Sequence, residues 1–348
     1  MLFDYIIMSC CSRFKDGRSI SAVYHLLKGK RSIQTVQDSH IYQLNRFYGI
    51  YPSLQKRDFE EHIHQLADED MLLLNNTNAA MTTVRGENWL REQKKHVPVN
   101  YFNGMEYYQK ASIFLERLLL LIQTMTNSKK NNFHFIPVVD KRIATNWVKR
   151  QYYQTHRFQA NFLNQLYEEL YQLLKCFSEM EANIFVDSLT GYNHYGMSSF
   201  QIADHYEMKQ LDVPLVRTAI VHHMLTIISR NTAAYPLFTR FLQDLPQEMR
   251  ITSSAGKTKE LLDRHYSAED IAIMRQLKLN TIYDHVVEIA LYDENFPIEA
   301  YVTAGEQAEI KGAVKNISSF KLKAIKQEVN ETISYFQIRL VLAVEKIS

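Results

Sequence analysis

Cysteine is scarce in this chain. Its 348 residues hold three, Cys10, Cys11 and Cys176, too few for a disulfide framework or a zinc site, so the thiols read as reduced core or surface groups. Excess charge is lacking too. Forty Lys and Arg against 38 Asp and Glu leave a formal net charge of +2, which excludes a strongly basic nonspecific nucleic-acid binder. Any DNA contact must come from local patches, modest in affinity and sensitive to salt. No long apolar run is present: the most apolar helical stretch, Ile113 to Ile122, is short and carries Glu116 and Arg117, against the roughly 20 apolar residues of a membrane span. The first residues are apolar, but Asp4 interrupts them and no basic leader or small-residue cleavage pattern follows, so a cytoplasmic protein without signal peptide is expected. Ten glycines and seven prolines are few breaks, and helical spacing dominates; the expected fold class is mainly α.

Catalytic signatures are equally thin. A phosphate loop needs backbone N–H groups around the phosphates and a Lys beside them. The stretch Ile251 to Thr258 ends in Ala255-Gly256-Lys257-Thr258, but Ile251 stands where the first glycine is required and no strand-like run leads into it. It reads as a solvated linker before the last domain. His62 and His64 are two apart and point to different sides of a helix, and the adjacent His222 and His223 diverge, so no metal site is expected. Neither a Ser, His and Asp set nor a Cys and His pair carries a family pattern. The expectation is a protein that is not an enzyme and takes no cofactor.

What is present begins with a helix followed by a hairpin. From Ser53, a plausible N-cap after Pro52, the spacing puts Phe59, Ile63 and Leu66 on one helical face. Met71-Leu72-Leu73-Leu74 then runs into the turn-rich Asn75-Asn76-Thr77-Asn78, and Ala80 to Gly86 returns as a second strand. With helices over about 19–28 and 33–48 ahead of it, this is the order of a winged helix-turn-helix domain, residues 1–96. Lys28, Lys30 and Arg31 in its turns and Lys56 and Arg57 on the Ser53 helix are candidates for phosphate contacts. A solvated face balanced by Asp58, Glu60 and Glu61 explains the same residues.

Residues 97–257 read as a central helical block. Phe162, Leu166, Leu170, Leu173 and Phe177 recur at spacings of four and three, a stripe for core more than for a partner. Ser199 to Ala203 and Val213 to Ile228 form a second candidate helix-turn-helix pair, although Tyr206 to Asp212 is longer than a tight turn.

The last region, residues 258–348, carries three phrases: Tyr-Ser-Ala-Glu-Asp-Ile-Ala from Tyr266, Leu-Lys-Leu-Asn-Thr-Ile-Tyr-Asp-His-Val from Leu277, and a closing helix from Ile333 to Ala343. The first two give helix, tight turn and helix, with small Ala272 at the crossing and Leu277 and Ile282 in a shared core. The base-edge positions of the second helix would be Asn280, Thr281, Tyr283 and Asp284, of which Asn280 and Thr281 could read bases while Asp284 and Glu288 would face phosphate unfavourably. Lys311, Lys315, Lys321, Lys323 and Lys326 offer a better backbone-tracking surface, or are scattered surface lysines.

Together the three phrases resemble the helix-turn-helix domain at the C-terminal end of RecQ-type helicases, with Gln276 where a turn glycine is common and Leu279 where a proline is often seen. The opening Gly17-Arg18-Ser19-Ile20-Ser21-Ala22-Val23-Tyr24-His25-Leu26-Leu27-Lys28-Gly29-Lys30 resembles that of the YpbB-like proteins of Gram-positive bacteria. The resemblance implies a non-catalytic partner of a RecQ-like helicase that binds the motor, with DNA as a second partner, in replication, repair or recombination. It carries over no catalytic residue. A winged-helix transcription regulator is the alternative.

Overall fold

A computed structural model of the protein describes residues 1–14, 18–75, 79–95, 97–245, 251–293, 295–317 and 319–344. Gly17 of the opening phrase, Asn76, Thr77 and Asn78 of the hairpin tip, and the 96 and 348 ends of two expected domains lie outside them. The fold is mainly α. Its first part runs α1 (Leu2–Arg13), α2 (Ile20–Lys28), α3 (Ile33–Ile41), α4 (Lys56–Asp68), the strands β1 (Leu72–Leu74) and β2 (Ala80–Thr82), and α5 (Val84–Gln93).

Helix α4 buries Phe59, Ile63 and Leu66 as the spacing requires, and His62 with them, while His64 is exposed. Its N-cap is Gln55, not Ser53, whose carbonyl instead accepts from the Gln55 side chain. The helix expected over 33–48 stops at Ile41, because the chain turns left-handed at Gln43 and continues as a 3-10 turn over Asn45–Phe47. In the hairpin Leu72 pairs with Thr82, Leu73 with Met81 and Leu74 with Ala80. The return strand is shorter than expected: Thr83 ends it by capping α5, its Oγ1 accepting from Gly86 N at 3.0 Å. Gly86 packs so close to the Met71 carbonyl that a Cβ would overlap it.

The middle consists of α6 (Gly104–Ser128), α7 (Arg142–Thr155), α8 (Gln159–Leu174), α9 (Glu179–Asp187), α10 (Ser199–His205), α11 (Asp212–Arg230) and the single turn α12 (Pro236–Thr239). Phe114, Leu118, Leu121 and Met125 form the buried spine of α6. Arg117 lies in that spine as well, bonded to both carboxylate oxygens of Asp244 at 2.6 and 3.1 Å and set over the Trp147 ring; a paired guanidinium is tolerated where a lone one is not. On α8, Phe162, Leu166 and Leu173 are buried and Leu170 packs beside them, so the stripe is core. Phe177 lies past the helix end, edge-on to the Tyr101 and His223 rings.

Helix α11 shares its core with α1: Asp212 at its start accepts from Leu2 N and Phe3 N at 3.2 and 2.7 Å, capping α1 from across the chain. Val213, Leu215, Ile220 and Met224 are fully enclosed. The α10–α11 pair therefore contributes to the core, and its second helix is not presented for groove reading. One apolar cluster runs without interruption from Leu2 to Phe241.

The third part, α13 (Ser253–Leu262), α14 (Ala268–Arg275), α15 (Leu279–Tyr292), α16 (Ala304–Ile317), α17 (Leu322–Glu328) and α18 (Tyr335–Val344), surrounds a second cluster from Ala255 to Leu342. Ile33 and Ile41 of α3 pack against that second cluster. Among the described residues no helix is long and apolar enough to cross a membrane.

Burial pushes the His222 imidazole of α11 down to about 3. Its Nδ1 accepts from Asn103 N at 3.1 Å, and its Nε2 finds no partner among the described residues. Folding therefore requires the neutral ring, so this stability is present above the ordinary value of 6.5 and is lost as pH falls toward the folded-state value. His222 is expected to add a slope of about 1.4 kcal/mol per pH unit in that window. Denaturant titrations at stepwise lower pH check this: His222→Leu should be less stable at neutral pH but shallower in its acid dependence, and equal slopes would refute the assignment.

Candidate nucleic-acid interface

Helix α13 carries the Gly-Lys-Thr fragment and does not form a solvated linker. Thr252 caps it, with Oγ1 accepting from Ala255 N at 3.2 Å, and Ala255, Gly256 and Thr258 are buried. Thr258 Oγ1 bonds His285 Nδ1 at 2.9 Å and also accepts from Arg275, whose guanidinium reaches the Ser254 carbonyl and hydroxyl at 2.8 and 3.0 Å. Glycine and threonine are fixed inside a helix here, where their N–H groups belong to the helix ladder and not to a phosphate cradle. Only Lys257 of the fragment is exposed.

The helix-turn-helix pair follows the spacing closely. Ser267 caps α14 by accepting from Asp270 N at 3.0 Å, and α14 ends on Gln276 in the left-handed region at φ 53°. That is the position a glycine adopts more cheaply, yet the turn to Lys278, the N-cap of α15, is tight all the same. Ala272 and Ile282 are buried at the crossing and Leu277 packs against them.

Helix α15 is the centre of its domain. Ile282, Val286 and Val287 are fully enclosed, and α13, α14, α18 and α3 all contact the helix. Tyr283 turns inward from the face expected to read bases: its ring stacks on Phe336 at 4.0 Å and its hydroxyl donates to Glu269 at 3.3 Å. Nor does Glu288 face a phosphate. It accepts from the Thr252 N–H and hydroxyl, and burial lifts its carboxyl above the usual range against the pull of those bonds. Asp284 holds Arg339 at 2.6 Å. Thr281 is half-buried, which leaves Asn280 and Lys278 exposed at the tip. Sequence reasoning passed over Lys278; its position one step before the second helix was the available signal.

The basic turns assemble better. Lys28 donates to the Leu54 carbonyl at 3.3 Å and lies over Tyr24, while Lys30 meets His25 at 3.4 Å. His25 is held below its ordinary value by burial first and then by the charges of Lys30 and Lys56, which places those two cations around one ring. Arg31 Nε donates to the Tyr108 hydroxyl at 2.5 Å. Lys56 pairs with Glu60 at 3.3 Å, and Arg57 with Asp58 and Glu61 at 3.4 and 3.6 Å. Such exposed pairs are worth about 0–1 kcal/mol, so a phosphate can displace them. In the last domain Lys321 and Lys323 are exposed at the start of α17, whereas Lys326 is turned to the carbonyls of Asn330 and Glu331 at 3.3 and 2.8 Å. Lys311 and Lys315 lie on α16.

The α13 geometry separates two substitutions. Thr258→Val removes a buried hydrogen-bonding group from Arg275 and His285 and is expected to cost about 1–3 kcal/mol. Lys257→Ala is expected to stay within about 0.5 kcal/mol. Thermal and urea unfolding of the two variants measures this, and saturable ATP binding that Lys257→Ala abolishes would contradict it.

Residues 254–342 match a family model described as a helix-turn-helix domain. No solved structure matches the chain. Along nearly its whole length it aligns with Protein YpbB of Bacillus subtilis (strain 168), 31% identical over 343 residues that cover 98% of this chain and 96% of that protein. At that identity and coverage of both chains, the chain belongs to the YpbB family.

Proposed function

We propose that the protein is a non-catalytic accessory of a RecQ-like DNA helicase that binds the motor and DNA during replication, repair or recombination. The observation that supports the reading is the C-terminal helix-turn-helix domain, in which the phosphate-loop fragment is part of a structural helix with Thr258 tied to His285; its likeness to the helicase-associated kind is part of the proposal. Three regions divide the work: the winged helix over 1–96 and the helix-turn-helix over 258–348 contact DNA and partner, and the helices over 97–257 hold them. On DNA the basic turns around His25 supply backbone contacts, and the α15 tip with Lys278 and Asn280 adds an end-on contact. A regulator that reads an operator with a whole recognition helix is less well supported, because α15 is packed on several sides.

Two measurements test this. Recombinant protein and a RecQ-like helicase from the same organism are expected to sediment together at micromolar concentration; independent sedimentation, with a discrete promoter footprint by the protein alone, would favour the regulator. For DNA, each neutralised phosphate contributes about 0.9 to the slope of log affinity against log salt. Lys30→Ala/Lys56→Ala should flatten that slope by nearly two units in fluorescence anisotropy with labelled duplex. An unchanged slope would move the DNA contact away from the winged helix.

A further inference from the structure

We infer that a cleft beside the wing is a docking groove for a protein segment that carries a large apolar side chain flanked by Lys or Arg. This stands on the chemistry of the wing and does not depend on which partner the protein assists. Between the end of α4, the start of β1 and α5 lies a cleft of about 550 Å³, lined by Glu69, Met71, Val84, Arg85, Trp89 and Glu92 among others. That volume is within the roughly 300–1,000 Å³ of sites that enclose a ligand group. The cleft continues an apolar surface. Val84 is 80% exposed, and the registered pair Leu73 and Met81 on the outer face of the hairpin is 55% and 43% exposed.

The groove is held in shape. Trp89 packs toward the Tyr5 ring at 6.4 Å, Gly86 lies against Met71, and Glu87 is engaged by Ser12 at 2.8 Å and by Thr82. A preformed site loses little entropy on binding.

Its charge selects the occupant. Glu69 and Glu92 line the cleft and Asp68 and Asp70 flank Glu69 in the chain, against Arg85 and an Arg91 that is turned to Asn88 at 3.0 Å. Asp68 and Glu69 stand at the carboxyl end of α4, where the helix dipole disfavours negative charge, so helix stability does not account for them. The strands Leu72-Leu73-Leu74 and Ala80-Met81-Thr82 carry no charge at all. A wing that grips phosphate needs cations; an apolar, acid-edged one fits a basic segment with an apolar anchor and favours its approach electrostatically.

The test selects random peptides displayed on phage against the immobilised full chain, and measures labelled synthetic copies by fluorescence anisotropy. Enriched peptides are expected to carry Trp, Phe, Leu or Met beside Lys or Arg, and to bind Val84→Asp and Glu69→Lys/Glu92→Lys at least about tenfold more weakly than wild type. All three substituted side chains are exposed, and unchanged circular dichroism and melting confirm that each variant folds. No enrichment, enrichment without basic residues, or affinity that survives both variants overturns the proposal. So does duplex DNA binding that Val84→Asp weakens, or self-association in sedimentation that Val84→Asp abolishes, which would give the surface to DNA or to a second copy.

Discussion

Gln37, buried on α3, donates to the Arg339 carbonyl at 2.8 Å, and the Arg339 guanidinium holds Asp284 of α15 at 2.6 Å. This chain of bonds crosses the seam between the two apolar cores. Around it Ile33 and Ile41 pack toward the second core, and two edge-on ring pairs, His40 with Tyr292 and Tyr42 with Phe320, flank the seam. A buried amide left without its partner costs about 1–3 kcal/mol, so the contact specifies one docking of α15 against α3. The helix-turn-helix domain is thereby presented by the turn and first residues of its second helix, and the flank of that helix is closed by the protein itself.

Near-neutral formal charge conceals an uneven arrangement. Among the described residues Asp4, Asp38, Glu169 and Asp212 are buried, against one buried guanidinium, Arg117. Several are internal caps: Glu169 accepts from Leu237 N and Phe238 N at 3.0 Å, as Asp212 does from the start of α1. Asp38 is pushed up to about 6 by burial although Arg18 pairs with it. Three of these carboxylates also hold cations, Asp4 with Lys209 and the N-terminus, Asp212 with the N-terminus and Asp38 with Arg18, so charge of both signs is taken up in internal structure. Local patches can then act where the net charge offers no attraction.

Periodicity made much of the fold legible. Phe59, Ile63 and Leu66 on α4, the α8 stripe, and the Ala272, Leu277 and Ile282 core of the helix pair each follow from spacing alone. Ends were harder. Gln43, Thr83 and Gln276 stop or turn elements through a backbone conformation or a cap, which depends on atoms two or three residues away and leaves no periodic trace. Directions were hardest. Helix-turn-helix docking geometry assigned Tyr283 and Glu288 to a DNA-facing side, but Phe336 and Thr252, distant in sequence, engage them. The candidate DNA residues divide along the same line: Lys30 and Arg31 on the turn after α2, and Lys56 and Asn280 at helix starts, are exposed, Lys28 at the end of α2 is half-buried, and Tyr283 in the body of a central helix turns inward.

Charge is unevenly ordered along α4. Lys56 and Arg57 open the helix beside Asp58, Glu60 and Glu61, which pair with them, and Asp68 and Glu69 stand at its carboxyl end, where the macrodipole disfavours negative charge at a cost of about 0.3–1 kcal/mol for each. The two ends lie roughly 20 Å apart at 1.5 Å per residue, far enough that a phosphate backbone at one and a basic protein segment at the other do not compete for the same atoms. At 0.15 M salt the Debye length is about 8 Å, so neither end cancels the other's field. One short helix therefore carries a mixed-charge, ion-paired amino end and an acidic carboxyl end whose fields are screened from one another.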